Sequence, residues 1–308
     1  MVNVSGLLGR PSQPRTIMPT LFPSADLPDY FVDIDFSPEV RNSGALDRQV
    51  AEAFEDGKCI CFKNWTVDFD RAFFNGLDLH ENRAAKKLKS VVNDDGTIDP
   101  TLLGAQLEKC AKDDATIEEF PLQAARISAQ VTPIINRIFA HCTFLDRRLV
   151  WRMSETIHEN LHIDVYKNEM TDFQIRMFVN LDVVPRIWQT GYTLEGMLEK
   201  FGHLLTDEEL ATLGATALCK LLNYRLYGDL PDAGKDGQPR HTAFFHPGEI
   251  WMVDSRRVSH QIFYGRRALS LDYFATQDSV LDPSKYYLRS VEKYRQTRGI
   301  AQLEALDA

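Results

Sequence analysis

Hydrophobic and polar positions change period several times along the chain. Phe31, Ile34 and Phe36 sit among polar residues and predict a strand over 30–36. Leu46, Val50, Ala53 and Phe54 recur at helical spacing and predict a short amphipathic helix ending near Gly57. Lys58-Cys59-Ile60-Cys61-Phe62 reads as a buried strand. Residues 66–114 are charged and show no clear period; Asp94-Asp95-Gly96 marks a turn, and Lys86-Lys87-Leu88-Lys89 reads as a solvated face. Ala124, Ile127, Val131, Ile134, Ile135, Ile138 and Phe139 predict the longest helix, over 120–144, with Pro133 expected to kink or split it.

From Arg148 the period becomes two. Strands are expected over 149–153, 161–166 and 173–181. Residues 190–225 return to helix, and Thr206 with Glu209 fits a capping box. A polar loop follows over 228–239. Strands are then expected over 241–245, 250–253, 258–264 and 268–275, and Asp282-Pro283 opens a last helix reaching Arg298-Gly299. The fold class is α+β. Five prolines among the first 28 residues predict an irregular arm over 1–28, and the rest, 29–308, reads as one domain with a helical insert at about 190–228.

Composition narrows the function classes. The chain of 308 residues is 44% hydrophobic and 26% charged, ordinary for a globular protein. A net charge of −9 disfavours a non-specific nucleic-acid binder. No apolar run approaches the roughly 18 residues of a membrane span, and residues 1–23 lack the basic-then-apolar layout of a secretory signal. Five cysteines with no framework spacing point to a reduced, cytoplasmic setting, and Cys59 and Cys61 read as buried strand residues. The expected partner is a small-molecule substrate. Oligomeric state is left open.

The chemistry gathers around Leu161-His162-Ile163-Asp164-Val165-Tyr166. On a strand, His162 and Asp164 share a face and can share a metal. His260, in the later strand Val258-Ser259-His260-Gln261-Ile262, is the best third ligand. Two imidazoles and one carboxylate on one side of a metal form the facial triad of non-haem Fe(II) oxygenases, with positions left for a chelating co-substrate and O₂. A histidine two residues before an aspartate is common by chance, and a lone strand histidine is usually a hydrogen-bonded core residue; the joint pattern selects the metal. The order and spacing of these residues suit a double-stranded β-helix, a jelly-roll or cupin-like core with flanking helices. His158 competes as a ligand but reads as a loop residue, and His80, His141, His203, His241 and His246 have no carboxylate at ligand spacing. Gln174, Arg176, Phe178 and Asn180 fall on one strand face, where an arginine and an asparagine suit an acidic ligand such as 2-oxoglutarate.

Phe173-Gln-Ile-Arg-Met-Phe-Val-Asn180, followed by Pro185-Arg186-Ile187-Trp188, resembles the segment after the HxD motif in 3-deoxy-D-manno-oct-2-ulosonic acid (Kdo) hydroxylases. Trp151-Arg152, Pro247-Gly248-x-x-Trp251, Val258-Ser259-His260 and Asp282-Pro283 resemble the same family, over roughly residues 45–298. The resemblance implies an Fe(II)/2-oxoglutarate oxygenase. The sequence departs from many such enzymes where an arginine is expected about ten residues after the distal histidine: positions 269–271 are Leu-Ser-Leu. Arg176 or Arg152, assisted by Asn180, is then expected to hold the far carboxylate of 2-oxoglutarate, with Arg267, after Gly265, completing the co-substrate set.

The expected function is oxidation, by Fe(II), 2-oxoglutarate and O₂, of an unactivated C–H bond in a small polar acid. A Kdo-type sugar acid, a free amino acid and a natural-product intermediate all fit. Asp164 supplies a carboxylate at iron, which argues against halogenation. Two rivals remain: a non-catalytic jelly-roll that binds metal or ligand, and a hydrolytic zinc enzyme, for which no general base stands at motif spacing.

Overall fold

A computed structural model describes residues 19–80, 87–153, 159–165, 172–228 and 237–300. Its elements in chain order begin with β1 (Thr20–Phe22), β2 (Phe31–Asp35), α1 (Gly44–Glu55), β3 (Cys59–Thr66), α2 (Arg71–Gly76), β4 (Leu88–Val92) and β5 (Ile98–Asp99). Next come α3 (Pro100–Leu107), α4 (Asp114–Ile138), β6 (Phe144–Met153), β7 (Phe173–Asn180) and β8 (Arg186–Thr193). Then follow α5 (Leu194–Phe201), α6 (Asp207–Thr212), α7 (Ala215–Tyr227), β9 (His241–Phe245), β10 (Glu249–Met252), β11 (Val258–Tyr264), β12 (Arg267–Ala275) and α8 (Arg289–Thr297). No helix among the described residues is long and apolar enough to cross a membrane.

The strands form two sheets. One has the order β2-β3-β10-β7-β12-β6-β4-β5, the other β1-β9-β8-β11. Pairing is antiparallel except for β2 on β3. In β7 the period of two has two different uses. Ile175, Met177 and Val179 join the large core, which also takes in Val131 and Ile135 of α4. Phe178 joins a smaller aromatic core with Trp188, Phe245 and Trp251 from both sheets. All eight residues of β7 are buried, as expected for a strand covered on both faces.

Several expectations change. The HxD stretch, read as a strand over 161–166, enters the ladder, among the described residues, only through an isolated bridge between His162 and His260; Tyr166 lies outside the described residues. Residues 186–193, partly assigned to the helical insert, are strand β8, and helix starts at Leu194. Arg186, Trp188 and Thr190 alternate inward there, a polar-aromatic pattern that apolar periodicity alone does not reveal. Part of the arm over 1–28 is ordered: β1 pairs with the edge of β9, too short a contact to leave a period in the sequence. Pro133 does not split α4, which runs on through it. The capping box at Thr206 and Glu209 forms with both reciprocal hydrogen bonds.

Candidate metal centre and its basic pocket

The segment 161–165 is extended, and its side chains part to opposite sides. Leu161 and Ile163 are buried in the large core, each contributing roughly 1.5–3 kcal/mol. His162 and Asp164 therefore turn the other way. The backbone is fastened to β11 and the turn before it: His162 N–H donates to His260 O (3.0 Å), His260 N–H to His162 O (2.7 Å), and Asp164 N–H to Ser255 O (2.8 Å). The two imidazoles come to 4.7 Å between ring centres.

Each histidine is oriented in the same way. Nδ1 of His162 lies 2.6 Å from Asn160 O, and Nδ1 of His260 lies 3.1 Å from Val258 O, a carbonyl two residues back in both cases. A carbonyl only accepts, so these contacts assign the proton to Nδ1 and leave Nε2 with a free lone pair. Ligand atoms of His162, Asp164 and His260 all lie within 4.8 Å of one another, and Nε2 of His162 is 3.6 Å from Oδ1 of Asp164. That spacing places three donors around one point where a divalent cation could bind. The donor set fits a facial triad with open positions.

Asp164 is held by its other oxygen. Oδ2 accepts from the guanidinium of Arg176 and from Ser255 Oγ (2.7 Å). Arg176 also donates to Ser255 Oγ (2.9 Å), Ser270 Oγ (3.2 Å) and Asp272 Oδ1 (3.1 Å). Burial alone would push the Asp164 carboxyl up, but Arg176 and the two histidines outweigh it and hold it well below the usual carboxylate range. Burial, with His162 alongside, depresses His260 to about 4, keeping it neutral.

A cavity of about 130 Å³ opens beside the triad. Phe178, Trp188 and Trp251 form apolar walls, and Lys87, Arg152 and Arg186 bring positive charge. Trp188 lies 5.5 Å from the His260 ring. Arg186 is in phase with it two residues along β8, about 6–7 Å further on. Arg186 is 2% exposed, and its Nη1 finds no hydrogen-bond partner among the described residues. Burial, and then Arg152 nearby, lowers Arg186 to about 10. Gly265 makes room for it: a Cβ there would stand 2.4 Å from Nη1 of Arg186. Arg152 lines the same cavity, 3.4 Å from Glu159. A second cleft, about 440 Å³, runs along 160–165 and lies against α7.

The predicted residues thus divide. His162, Asp164 and His260 come together, and Arg152 faces the basic cavity. Arg176 borders that cavity, but its donors turn to Asp164, Ser255, Ser270 and Asp272, so it holds the Asp164 carboxylate. Asn180 donates to Val184 O and Phe245 O and accepts from Asp182 N–H, fastening a turn. Arg267 donates to the carbonyls of Phe74, Met153 and Leu77 and lines a different part of the core. Arg186, noted in the sequence only as part of the Pro185-Arg186-Ile187-Trp188 resemblance and not among the co-substrate residues, also lines this cavity. His158 lies outside the described residues. His241 is structural, bridging Ser24 N–H and the Pro28 carbonyl.

Solved structures share this architecture. The fold is that of the Kdo hydroxylase KdoO, a non-haem Fe(II) alpha-ketoglutarate dependent dioxygenase. The KdoO complex with succinate and Fe(III) superposes with a TM-score of 0.63 at 15% identity, covering 90% of this chain and 98% of that one. Apo KdoO gives 0.64 at 14% identity, covering 86% and 96%. KdoO with alphaketoglutarate and Fe(III) gives 0.62 at 14%, covering 88% and 97%. No family model matches the chain, and no curated protein matches it significantly.

Proposed function

We propose that this chain is an Fe(II)- and 2-oxoglutarate-dependent oxygenase built on a double-stranded β-helix. One observation carries the reading: two histidines oriented through Nδ1 and a carboxylate held at one oxygen aim their remaining donors at a common point, beside a small basic cavity. Successive strands from β6 to β12 are divided between the two sheets in a way that suits that fold.

His162, Asp164 and His260 would hold Fe(II). The basic cavity would take 2-oxoglutarate, with Arg186 donating to its far carboxylate and Arg152 adding charge. Arg186 fits this task because it is already desolvated and has an unspent donor, so pairing with an anion restores what burial removed. Phe178, Trp188 and Trp251 would exclude water around the aliphatic part of the co-substrate. Bound iron supplies the centre at which O₂ oxidises 2-oxoglutarate to succinate and CO₂ while the second oxygen atom enters a substrate C–H bond. Arg176 and Ser255 keep Asp164 ionised and turned to the metal throughout.

The substrate is a small polar molecule, and an acid of the Kdo type, a free amino acid or a natural-product intermediate suits the basic surroundings. Anaerobic addition of Fe(II) and 2-oxoglutarate should give a weak visible charge-transfer band that is lost in His162→Ala, and O₂ should then release succinate. A wild-type protein with no band, or a band unchanged in the variant, would overturn the oxygenase. A band without succinate would leave a binding protein.

A further inference from the structure

The two iron-ligand residues His162 and Asp164 stand on a strip of chain with little support. It lines both the basic cavity and the larger cleft, and among the described residues it joins a sheet only through the His162–His260 bridge. In extended backbone, successive N–H and C=O groups point to opposite edges. The groups of His162 and the N–H of Asp164 point to His260 and Ser255. Those of Ile163, the residue between the ligands, point the other way, where no strand lies among the described residues.

That edge is covered by one side chain. Asn223 of α7 accepts from Ile163 N–H through Oδ1 (3.1 Å) and donates from Nδ2 to Ile163 O (3.3 Å). The planar amide copies the paired N–H and C=O of an antiparallel neighbour strand. It can reach because α7 is pinned by Cys219 and Leu222, both buried in the large core, and Cys219 lies one turn before Asn223 on nearly the same helix face. A hydrophobic side chain of the same size would leave both Ile163 groups unmet.

We infer that Asn223 is a positioning residue for the metal: it splints the peptide between His162 and Asp164 onto α7 and so sets the spacing of two of the three ligands. The inference rests on the metal reading above. It also gives α7 a second role, because the same helix walls the outer cleft with Lys220 and Tyr224. A molecule seated there touches the helix that holds the ligand strip.

The test uses Co(II) with the whole chain, without turnover. Asn223→Leu should bind Co(II) roughly 10–100-fold more weakly than wild type, with a shifted visible ligand-field spectrum and an unchanged near-ultraviolet circular dichroism of the metal-free protein. Asn223→Asp keeps the acceptor for Ile163 N–H and loses the donor, so its affinity should fall between the two; if Asn223→Leu does not fold, this variant decides. Wild-type affinity and spectrum in the folded variants would overturn the inference and leave the oxygenase reading standing. A wild-type protein that binds no Co(II), or binds it equally well as His162→Ala, would overturn the metal reading and this inference with it.

Discussion

Arg176 holds one oxygen of Asp164 and leaves the other facing His162. The arginine lies on β7 and the carboxylate on a strip outside the ladder, so this contact ties the least supported part of the site to the middle of the larger sheet. Replacing Arg176 by Met should strand two carboxylates, Asp164 and Asp272, in a water-poor site. The expected loss is about 3–5 kcal/mol of stability, as for other broken buried pairs. Chemical denaturation checks it, and Co(II) titration of the folded fraction should show affinity reduced as well. Arg176→Lys should rescue only part, because an ammonium cannot reach four acceptors in one plane.

Arg186 is expected to govern 2-oxoglutarate and not the metal. Arg186→Leu removes one charge-assisted contact, about 1.5–3 kcal/mol, so the KM for 2-oxoglutarate should rise roughly 10–100-fold. Co(II) affinity should stay at the wild-type value. Gly265→Ala should act in the same direction through Arg186 alone, since the added methyl occupies the guanidinium's place. An unchanged KM in both variants would move the far carboxylate to Arg152.

Asn180 and Arg267 should behave as structural residues. Arg267→Leu leaves the carbonyls of Phe74, Met153 and Leu77 without this donor and should cost roughly 1–3 kcal/mol in urea unfolding. Asn180→Leu should do the same at the turn to Val184. The KM for 2-oxoglutarate, measured on folded protein, should not change in either. A large KM effect with normal stability would restore them to the co-substrate site.

Metal should stabilise the fold measurably. At a hundredfold excess over Kd, a ligand that binds only the native state adds about 2.7 kcal/mol. The midpoint of thermal unfolding should therefore rise by several degrees with Co(II), fall back on chelation, and show no rise in His260→Ala. An equal rise in His260→Ala would place the ion elsewhere.

Most of the elements were legible because burial follows period. Helix α1, strand β3 and the run β9 to β12 each show a clean pattern of apolar positions, and Thr206 with Glu209 forms the cap that its spacing announces. Strand β8 was not legible, and its end from Thr190 was read as helix, because its inward face carries Arg186 and Thr190, which apolar periodicity counts as outward. The same property kept Arg186 from being read as an inward-facing residue. Arg176 and Asn180 were placed on the correct face of β7, but a shared face does not say which acceptors a long side chain will find.

The amino-acid sequence by itself determined the strand periods, the pairing of His162 with Asp164 on one side of an extended segment, and the existence of a third histidine in a later strand. Local geometry suffices for these, since side chains two apart on a strand must point the same way. Only the tertiary structure decided that His260 meets them, that Arg176 is committed to Asp164, that Arg186 keeps a donor without a partner among the described residues, and that Asn223 covers the edge at Ile163. Those relations join residues from separate strands and helices. They depend on where the chain crosses itself, and on which polar groups burial leaves without water and must therefore find one another.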